Sequence, residues 1–191
     1  LMRNYDIVFP EYGFTRHKGY GTAEHLLNLR NYLACPIHRK LFRPVSDHMP
    51  SLTHLKKQRL LGKWGERLAA RELIRKGYCV LTMNYSAAPY GEIDVVAKKD
   101  DTVVFLEVKS AEQEKLGRPE DEMNDSKVEK LLNAMNIYLS INESISDCRF
   151  DLMTVRFGNG RPQLNHYINC LDWLTGWQFS IRLLYPSLYS R

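Results

Sequence analysis

Two acidic side chains interrupt runs of residues that otherwise favour buried strands. Asp94 lies between an isoleucine and a valine, and Glu107 lies between a leucine and a valine. Side chains alternate between the two faces of a strand, so Glu107 and Lys109 point to the same face. A polar turn at residues 99–101 predicts that the two strands pair, which would bring Asp94 close to Glu107.

A carboxylate pair on one face suits a hard divalent cation. Like charges repel unless a cation lies between them, and Mg²⁺ prefers oxygen ligands. Asp94 and Glu107 are therefore the predicted metal ligands, for one or two ions of Mg²⁺ or Mn²⁺. Such a site supports phosphodiester hydrolysis, in which the metal polarises the phosphate and lowers the pKa of the attacking water. Lys109 would steady that water or the developing charge, and Glu66 would hydrogen-bond a water on the metal.

The same residues have a simpler interpretation. Glu107 and Lys109 would then be a charged pair on a solvated strand, and Asp94 an acid near a turn, since charges on exposed strands are common. The ordered combination of Gly91-Glu92-Ile93-Asp94, a turn, and a strand carrying Glu107 and Lys109 favours the functional interpretation and leaves the simpler one open.

Hydrophobic spacing predicts the elements that position these residues. Leu61, Trp64, Leu68 and Leu73 recur at helical spacing, and Gly77 predicts a left-handed end to that helix. The predicted strands are Tyr78–Asn84, Glu92–Lys98, Thr102–Ser110 and Cys148–Phe157, with a second helix from about Ser126 and a further strand at Leu164–Ile168. The order of helix, three-stranded meander, helix and strand predicts an α/β fold with a mixed sheet flanked by helices.

The N-terminal part predicts a small helical appendage. A helix over Leu1–Phe9 is stopped by Pro10, and a second short helix begins after Thr22 as its N-cap. Apolar periodicity is then lost between Pro44 and Pro50, which is typical of a linker. The predicted division is an appendage at 1–46, a linker at 47–59, a domain at 60–172 and a tail at 173–191. In the tail, Trp173, Trp177 and Phe179 predict a terminal helix.

Positive charge is concentrated in the N-terminal part of the chain. Residues 1–59 carry ten Lys/Arg against four Asp/Glu, whereas the remainder carries 17 against 18. A basic segment attracts phosphates, although a solvated basic loop is an equally good interpretation. The six histidines show no metal-ligand spacing.

Cellular location is predicted from three further features. The sequence contains no apolar run of about 18 residues, the length needed for a membrane span, and it shows no secretory signal. The four dispersed cysteines predict reduced thiols in the cytoplasm.

Several spaced motifs resemble one protein family. In chain order they are Gly62-x-x-Gly65-Glu66-x-x-Ala69, Gly77-Tyr78, Asn84-Tyr85, Gly91-Glu92-Ile93-Asp94, Phe105-Leu106-Glu107-Val108-Lys109, Lys127 and Arg149-Phe150-Asp151. The pattern resembles the YraN-like family, uncharacterised protein family 0102, over residues 56–172. That family is similar in fold to restriction endonucleases and Holliday-junction resolvases. The resemblance implies Asp94, Glu107 and Lys109 at the nuclease positions and Glu66 as the helical acid.

The resemblance also carries one departure and one open point. Where the family follows the triplet ending at Lys109 with a small residue and an arginine, this chain has Ser110 and Ala111, which weakens the predicted phosphate binding. Nuclease relatives act as dimers on two strands, so a homodimer is left open.

A second resemblance concerns the N-terminal segment. Its strings are Phe9-Pro10-x-Tyr12-Gly13-Phe14, His17-Lys18-Gly19-Tyr20-Gly21-Thr22, His25 and Cys35-Pro36-Ile37-His38-Arg39-x-x-Phe42-x-Pro44-Val45. They resemble the C-terminal end of bacterial ribonuclease HII, a family that cleaves RNA in RNA–DNA hybrids with four metal-binding acids. The motifs that carry those acids are not in this segment, so the resemblance implies phosphate contact at most. Candidate contacts are Lys18 and Arg39, with His17 and His38, unless these side chains pack or solvate a loop.

The leading hypothesis is a metal-dependent nuclease, or a nuclease-derived nucleic-acid-binding domain, acting on DNA or RNA, with branched substrates included. Lys127, at the start of the second predicted helix, would face a phosphate or simply solvent. The first alternative is a binding module that keeps the fold without turnover. The second is an RNA–DNA hybrid ribonuclease acting through the N-terminal segment, which is expected to be inactive because the catalytic acids are missing.

Overall fold

The structure is a computed structural model that describes residues 1–112 and 123–170. The helices are α1 (Met2–Val8), α2 (Phe14–His17), α3 (Ala23–Tyr32), α4 (Leu52–Lys57), α5 (Leu61–Arg75) and α6 (Asp125–Ile141). The strands are β1 (Cys79–Ser86), β2 (Glu92–Lys99), β3 (Thr102–Glu112), β4 (Asp147–Phe157) and β5 (Gln163–Tyr167). The terminal helix predicted around Trp173, Trp177 and Phe179 lies outside the described residues.

The five strands form one mixed sheet in the order β1-β2-β3-β4-β5. β1, β2 and β3 make the predicted antiparallel meander. β4 pairs with β3 in parallel after the α6 crossover, and β5 returns antiparallel to β4. The predicted α/β fold with a mixed sheet flanked by helices is confirmed, and the arrangement is consistent with a restriction-endonuclease-like fold.

Helices cover both faces of the sheet, because the strand side chains alternate between two apolar clusters. On one face Leu68 and Leu73 of α5 pack with Leu106 and Val108 of β3. On the other face, residues of α6 pack with Phe105. The centre of β3, residues 103–108, is buried on both sides and is apolar except at Glu107, so this charged residue is conspicuous.

Local sequence signals define the ends of the elements around the sheet. Gly77 ends the turn after α5 in the predicted left-handed conformation, with φ +88°. Asn124 caps the start of α6 by accepting a hydrogen bond from the backbone N–H of Lys127 at 2.9 Å. The β2–β3 turn places Lys99 opposite Thr102, with Asp100 between them at φ +54°. This turn fixes the register of the two strands.

The N-terminal segment packs directly on the sheet domain. Thr22 caps α3 as predicted, by accepting the backbone N–H of His25 at 3.2 Å. Phe9 and Phe14 belong to the same apolar cluster as the inner face of α5. Glu11 forms a two-pronged ion pair with Arg67 of α5, at 2.8 and 3.0 Å. The N-terminal segment therefore shares the hydrophobic core of the sheet domain. Its short helices are too small to form a hydrophobic core of their own.

Residues 47–59, predicted to be a linker, include α4 and part of the short 3-10 turn Ser46–His48. The apolar side chain of Leu55 in α4 is buried. The division of the chain at this point stays a prediction.

The histidines of the N-terminal segment form a chain of contacts that the sequence did not suggest. His17 Nε2 lies 3.1 Å from His25 Nδ1, and His25 Nε2 lies 3.2 Å from His38 Nε2. Backbone N–H groups of Gly19 and Cys35 donate to the remaining Nδ1 atoms of His17 and His38. Burial lowers the pKa of His38 to about 4 and also lowers the pKa of His25. The three rings pack against one another, and His17 and His38 also make hydrogen bonds to the backbone of the same segment. Phosphate contact by His17 and His38 stays a prediction.

None of the helices within residues 1–112 and 123–170 combines the length and the apolar composition needed to cross a membrane.

Candidate active site

Glu107 is the most deeply buried acid of the predicted site. Its side chain is 3% exposed, and it leaves β3 on the same face as Lys109, as the strand alternation predicted. Oε1 accepts from the ammonium of Lys109 at 3.1 Å and lies 3.1 Å from the ammonium of Lys127. Oε2 is buried and has no hydrogen-bond partner among the described residues. A buried carboxylate oxygen without a partner is costly unless a cation or a water completes it.

Asp94 lies beside Glu107, as the predicted pairing of β2 and β3 required. Its Oδ2 accepts the backbone N–H of Val108 at 2.7 Å, from the residue that follows Glu107. Burial raises the pKa of Asp94 to about 7, and the negative charges of Glu107 and then Glu66 add to the rise. The hydrogen bond from Val108 acts in the opposite direction. The two acids therefore share a poorly solvated site in which ionisation of Asp94 is disfavoured, and a bound cation would favour it.

Glu66 approaches the same acids from α5. Burial raises its pKa, and the charges of Glu107 and Glu92 contribute to the rise. A hydrogen bond from the side chain of Asn84 lowers it. Sequence reasoning gave no role to Asn84, which lies within β1, before its last two residues, in a left-handed conformation at φ +51°. Asparagine tolerates the left-handed conformation well. The Asn84-Tyr85 motif was the feature of the sequence that could have pointed to this residue.

Lys127 reaches the acids from the helix on the opposite side of the sheet from α5. It lies in the first turn of α6, where the Asn124 cap fixes the backbone. Burial opposes its charge, but the charge and hydrogen bond of Glu107 raise its pKa above the usual range. The structure places the ammonium of Lys127 3.1 Å from Oε1 of Glu107, and the phosphate contact at Lys127 stays a prediction.

The residues fit a hard divalent cation with an incomplete protein shell. Within the described ranges, no cluster of three or more His, Cys, Asp or Glu side chains has the arrangement of a metal site. Two carboxylates are nevertheless the usual protein contribution to Mg²⁺, which keeps several waters and substrate oxygens. The unpartnered Oε2 of Glu107, next to Asp94, offers the required donor set.

The two remaining predicted nucleic-acid contacts lie elsewhere. Lys18 follows α2 and Arg39 lies in the loop after α3, and both are exposed. Neither makes an ion pair within the part of the chain that the structure describes, and neither contacts the acids of the site. Their assignment stays a prediction.

A second buried acid shows what a fully paired carboxylate looks like in this fold. Asp151 accepts from Arg149 at 3.0 Å, from the backbone N–H of Asn169 at 2.9 Å, and contacts His166 at 2.8 Å. Although burial opposes this, hydrogen bonds from His166, Asn169 and Arg149 lower the pKa of Asp151. Asp151 is therefore a structural acid, whereas Glu107 retains an unused oxygen.

Gly91 sets the distance between the strand of Asp94 and the helix of Lys127. A Cβ atom at Gly91 would lie 2.1 Å from the backbone oxygen of Lys130, so α6 would have to move. Gly91→Ala is expected to destabilise the fold by about 1–3 kcal/mol and to lower the Tm by about 2–10 °C. Thermal melting followed by circular dichroism measures the change.

Gly62→Ala is the matched control for that substitution. A Cβ atom at Gly62 meets nothing within 4 Å, and the position lies in helix α5. Alanine should leave the Tm unchanged or raise it, because alanine favours helix over glycine. Equal losses in both variants would show that Gly91 has no special packing role.

The part of the chain that carries these residues matches a known family. A sequence model described as "Uncharacterised protein family UPF0102" matches residues 65–155. A UPF0102 protein of Syntrophomonas wolfei is 39% identical over 112 residues, which cover 58% of this chain and 96% of that protein.

Two further relatives match a similar length. A UPF0102 protein of Francisella tularensis is 39% identical over 101 residues, covering 52% of this chain and 86% of its own length. One of Flavobacterium psychrophilum is 33% identical over 107 residues, covering 56% and 89%. The matched residues 65–155 include Glu66, Asp94, Glu107, Lys109 and Lys127. The chain therefore belongs to UPF0102, an uncharacterised protein family.

Proposed function

We propose that this protein is a metal-dependent nuclease that hydrolyses phosphodiester bonds. The observation that carries the proposal is the buried Glu107, whose Oε2 has no partner among the described residues while Asp94 lies alongside. The fold places this pair among lysines on two separate elements. An ordinary ion pair on the protein surface would be solvated, and it would need neither the burial of Glu107 nor lysines from two elements.

Each residue of the site has a role in this proposal. Asp94 and Glu107 hold one or two ions of Mg²⁺ or Mn²⁺, which would polarise the scissile phosphate and supply an activated water. Lys109 stabilises charge that develops on the phosphate, because an ammonium is a compact point charge. Glu66, whose pKa is raised, is suited to accept a proton at the edge of the site.

Exposed cations support a nucleic acid as the substrate. Seven basic residues of the N-terminal part are exposed and make no ion pair within the described ranges: Arg3, Lys18, Arg30, Arg39, Lys40, Lys57 and Arg59. Such charges attract a phosphate backbone by releasing counterions, which makes binding salt-sensitive. DNA and RNA, including branched forms, are both candidate substrates. No two of the four cysteines, all of which lie within the described residues, form a disulfide, which fits a cytoplasmic location in this proposal.

The N-terminal segment is proposed to bind rather than to cleave. Three of its four acids are in ion pairs: Glu11 with Arg67, Glu24 with Arg16, and Asp47 with Arg43. One oxygen of Asp6 accepts from Thr15, and the other is buried without a partner among the described residues. Cleavage of an RNA–DNA hybrid by a ribonuclease HII-like remnant would need acids that are available for a metal. The likeness to ribonuclease HII therefore extends the proposal only to phosphate contact.

The proposal is tested with the full chain on labelled duplex, single-stranded, branched and RNA–DNA hybrid substrates, each with Mg²⁺, with Mn²⁺ and with a chelator. Metal-dependent products from at least one substrate are expected. The competing function, a binding module without turnover, has a specific observation in its favour, since Lys127 neutralises Glu107. It predicts salt-sensitive binding with no products under any metal condition.

A further inference from the structure

Two ammonium groups meet at one oxygen of Glu107. Lys109 and Lys127 each place Nζ 3.1 Å from Oε1, while Oε2 stays unpartnered among the described residues. Two like charges at the same oxygen repel each other, so this arrangement is not what a simple ion pair requires. Together they supply the charge of one divalent cation on the face of the carboxylate.

We propose that Lys127 takes the place of the metal beside Glu107 in the metal-free protein, and turns to a substrate phosphate when a divalent cation binds. This inference rests on the proposed function and gives Lys127 a second position, in addition to the predicted phosphate contact. Binding of metal and recruitment of a phosphate-binding lysine would then be a single event.

The two lysines differ in how firmly they are held. Lys109 stands two residues from Glu107 on the same strand face, so its ammonium stays near that carboxylate. Lys127 belongs to α6 and reaches across from another layer, and its side chain is 27% exposed, against 20% for Lys109, so the element that carries each lysine is the main difference. A flexible four-carbon stem with its end near solvent can rotate away without moving the backbone. Lys127 is therefore the lysine that is free to leave.

Electrostatics supply the reason for the movement. A divalent cation between Asp94 and Glu107 would add two positive charges beside two ammonium groups that already share one oxygen. Repulsion between such charges is large at a few ångströms in a partly buried site. The ammonium of Lys127 would then bind the phosphate of an incoming substrate. The phosphate also adds negative charge, which offsets the excess of positive charge at the metal-bound site.

Amine labelling of the full chain tests the movement directly. The protein is treated with formaldehyde and a borohydride during a Mg²⁺ or Mn²⁺ titration without nucleic acid, and methylation of each lysine is measured by mass spectrometry. The methylation rate of Lys127 should rise several-fold as metal is added. The midpoint of this rise should match the midpoint of metal binding measured by calorimetry. Lys57, an exposed residue of α4, is the internal reference and should not change.

A variant provides a second measurement that does not depend on turnover. Lys127→Met keeps the length of the side chain and removes the competing charge. It should bind Mg²⁺ about tenfold more tightly than the wild type. Lys127→Met should also cleave more slowly any substrate that the wild type cleaves, because the substrate phosphate is no longer bound by the ammonium of Lys127.

The outcomes separate this inference from the function on which it rests. If the wild type binds metal but the labelling of Lys127 stays constant or falls, the inference is wrong and the nuclease proposal stands. Weaker or unchanged metal binding by Lys127→Met would also overturn the inference. If the wild type binds neither Mg²⁺ nor Mn²⁺, both proposals fail together.

Discussion

Replacing Glu107 by glutamine is expected to lower metal-dependent cleavage by about 100- to 10,000-fold, since a metal contributes several kcal/mol to the transition state. Glutamine keeps the size of the side chain and one acceptor oxygen but removes the negative charge. The charge is what offsets the loss of water from a bound cation. Initial rates at saturating Mg²⁺, with a labelled substrate cleaved by the wild type, measure the effect.

The control for this prediction is Asp101→Asn, which makes the same chemical change on the β2–β3 turn. The side chain of Asp101 is 98% exposed, and its one ion pair among the described residues is with Lys98 at 3.6 Å, so cleavage should stay within about twofold of the wild type. Circular dichroism checks that both variants are folded. Full activity of Glu107→Gln would remove the basis of the proposed function. Residual cleavage confined to RNA–DNA hybrids would instead point to the N-terminal segment.

The second large effect concerns stability. Asp94→Asn is expected to stabilise the metal-free protein at pH 8 by on the order of 2 kcal/mol, because the pKa of Asp94 is raised to about 7, well above the ordinary range of an aspartate. In the native state Asp94 ionises at a cost caused by burial and by the charge of Glu107. Asparagine carries no charge, and its amide oxygen still accepts the N–H of Val108.

The sign of this effect depends on pH in a defined way. Between about pH 4 and pH 7 the native state keeps a proton on Asp94 that the unfolded chain has lost, so wild-type stability falls as pH rises. The difference between the variant and the wild type should therefore be small near pH 4 and reach its full size above pH 7. Urea unfolding at pH 4, 6 and 8 measures it. The lowered pKa values of His25 and His38 affect both proteins equally and cancel in the difference.

Metal provides the control for the stability prediction. Mg²⁺ should raise the Tm of the wild type, because a ligand that binds only the native state stabilises it, whereas Asp94→Asn should respond weakly. A variant that is more stable but no longer responds to metal is the expected signature of an acid retained for function. A less stable Asp94→Asn protein at pH 8 would show that the acid serves the fold.

Elements with strong local signals were predictable from the sequence. The spacing of Leu61, Trp64, Leu68 and Leu73 marked α5, and Gly77 marked its end. Boundaries moved by one or two residues where strand pairing extends past the apolar run, as in β3, which continues to Glu112. The mixed order of the sheet followed from the chain order of these elements.

The N-terminal segment shows the opposite case. Its short helices and prolines suggested a separate piece, yet Phe9 and Phe14 complete the core over α5, and Glu11 pairs with Arg67. Such contacts join residues more than fifty positions apart, and no periodicity in the sequence encodes them. The chain of His17, His25 and His38 joins residues only 8 and 13 positions apart, but it was also missed because it depends on how short helices and loops pack together.

The sequence by itself determined which acids share a face. Strand alternation puts Glu107 and Lys109 on one side of β3, and the short turn after β2 brings Asp94 beside them, because both rules act between close neighbours in the chain. The tertiary structure alone decided the chemistry of that face. Burial by α5 and α6 raises the pKa of Asp94, and the docking of α6 brings Lys127 to Glu107 while leaving Oε2 without a partner. Desolvation and charge proximity depend on the packing of elements that are distant in sequence, so they became visible only in the folded chain.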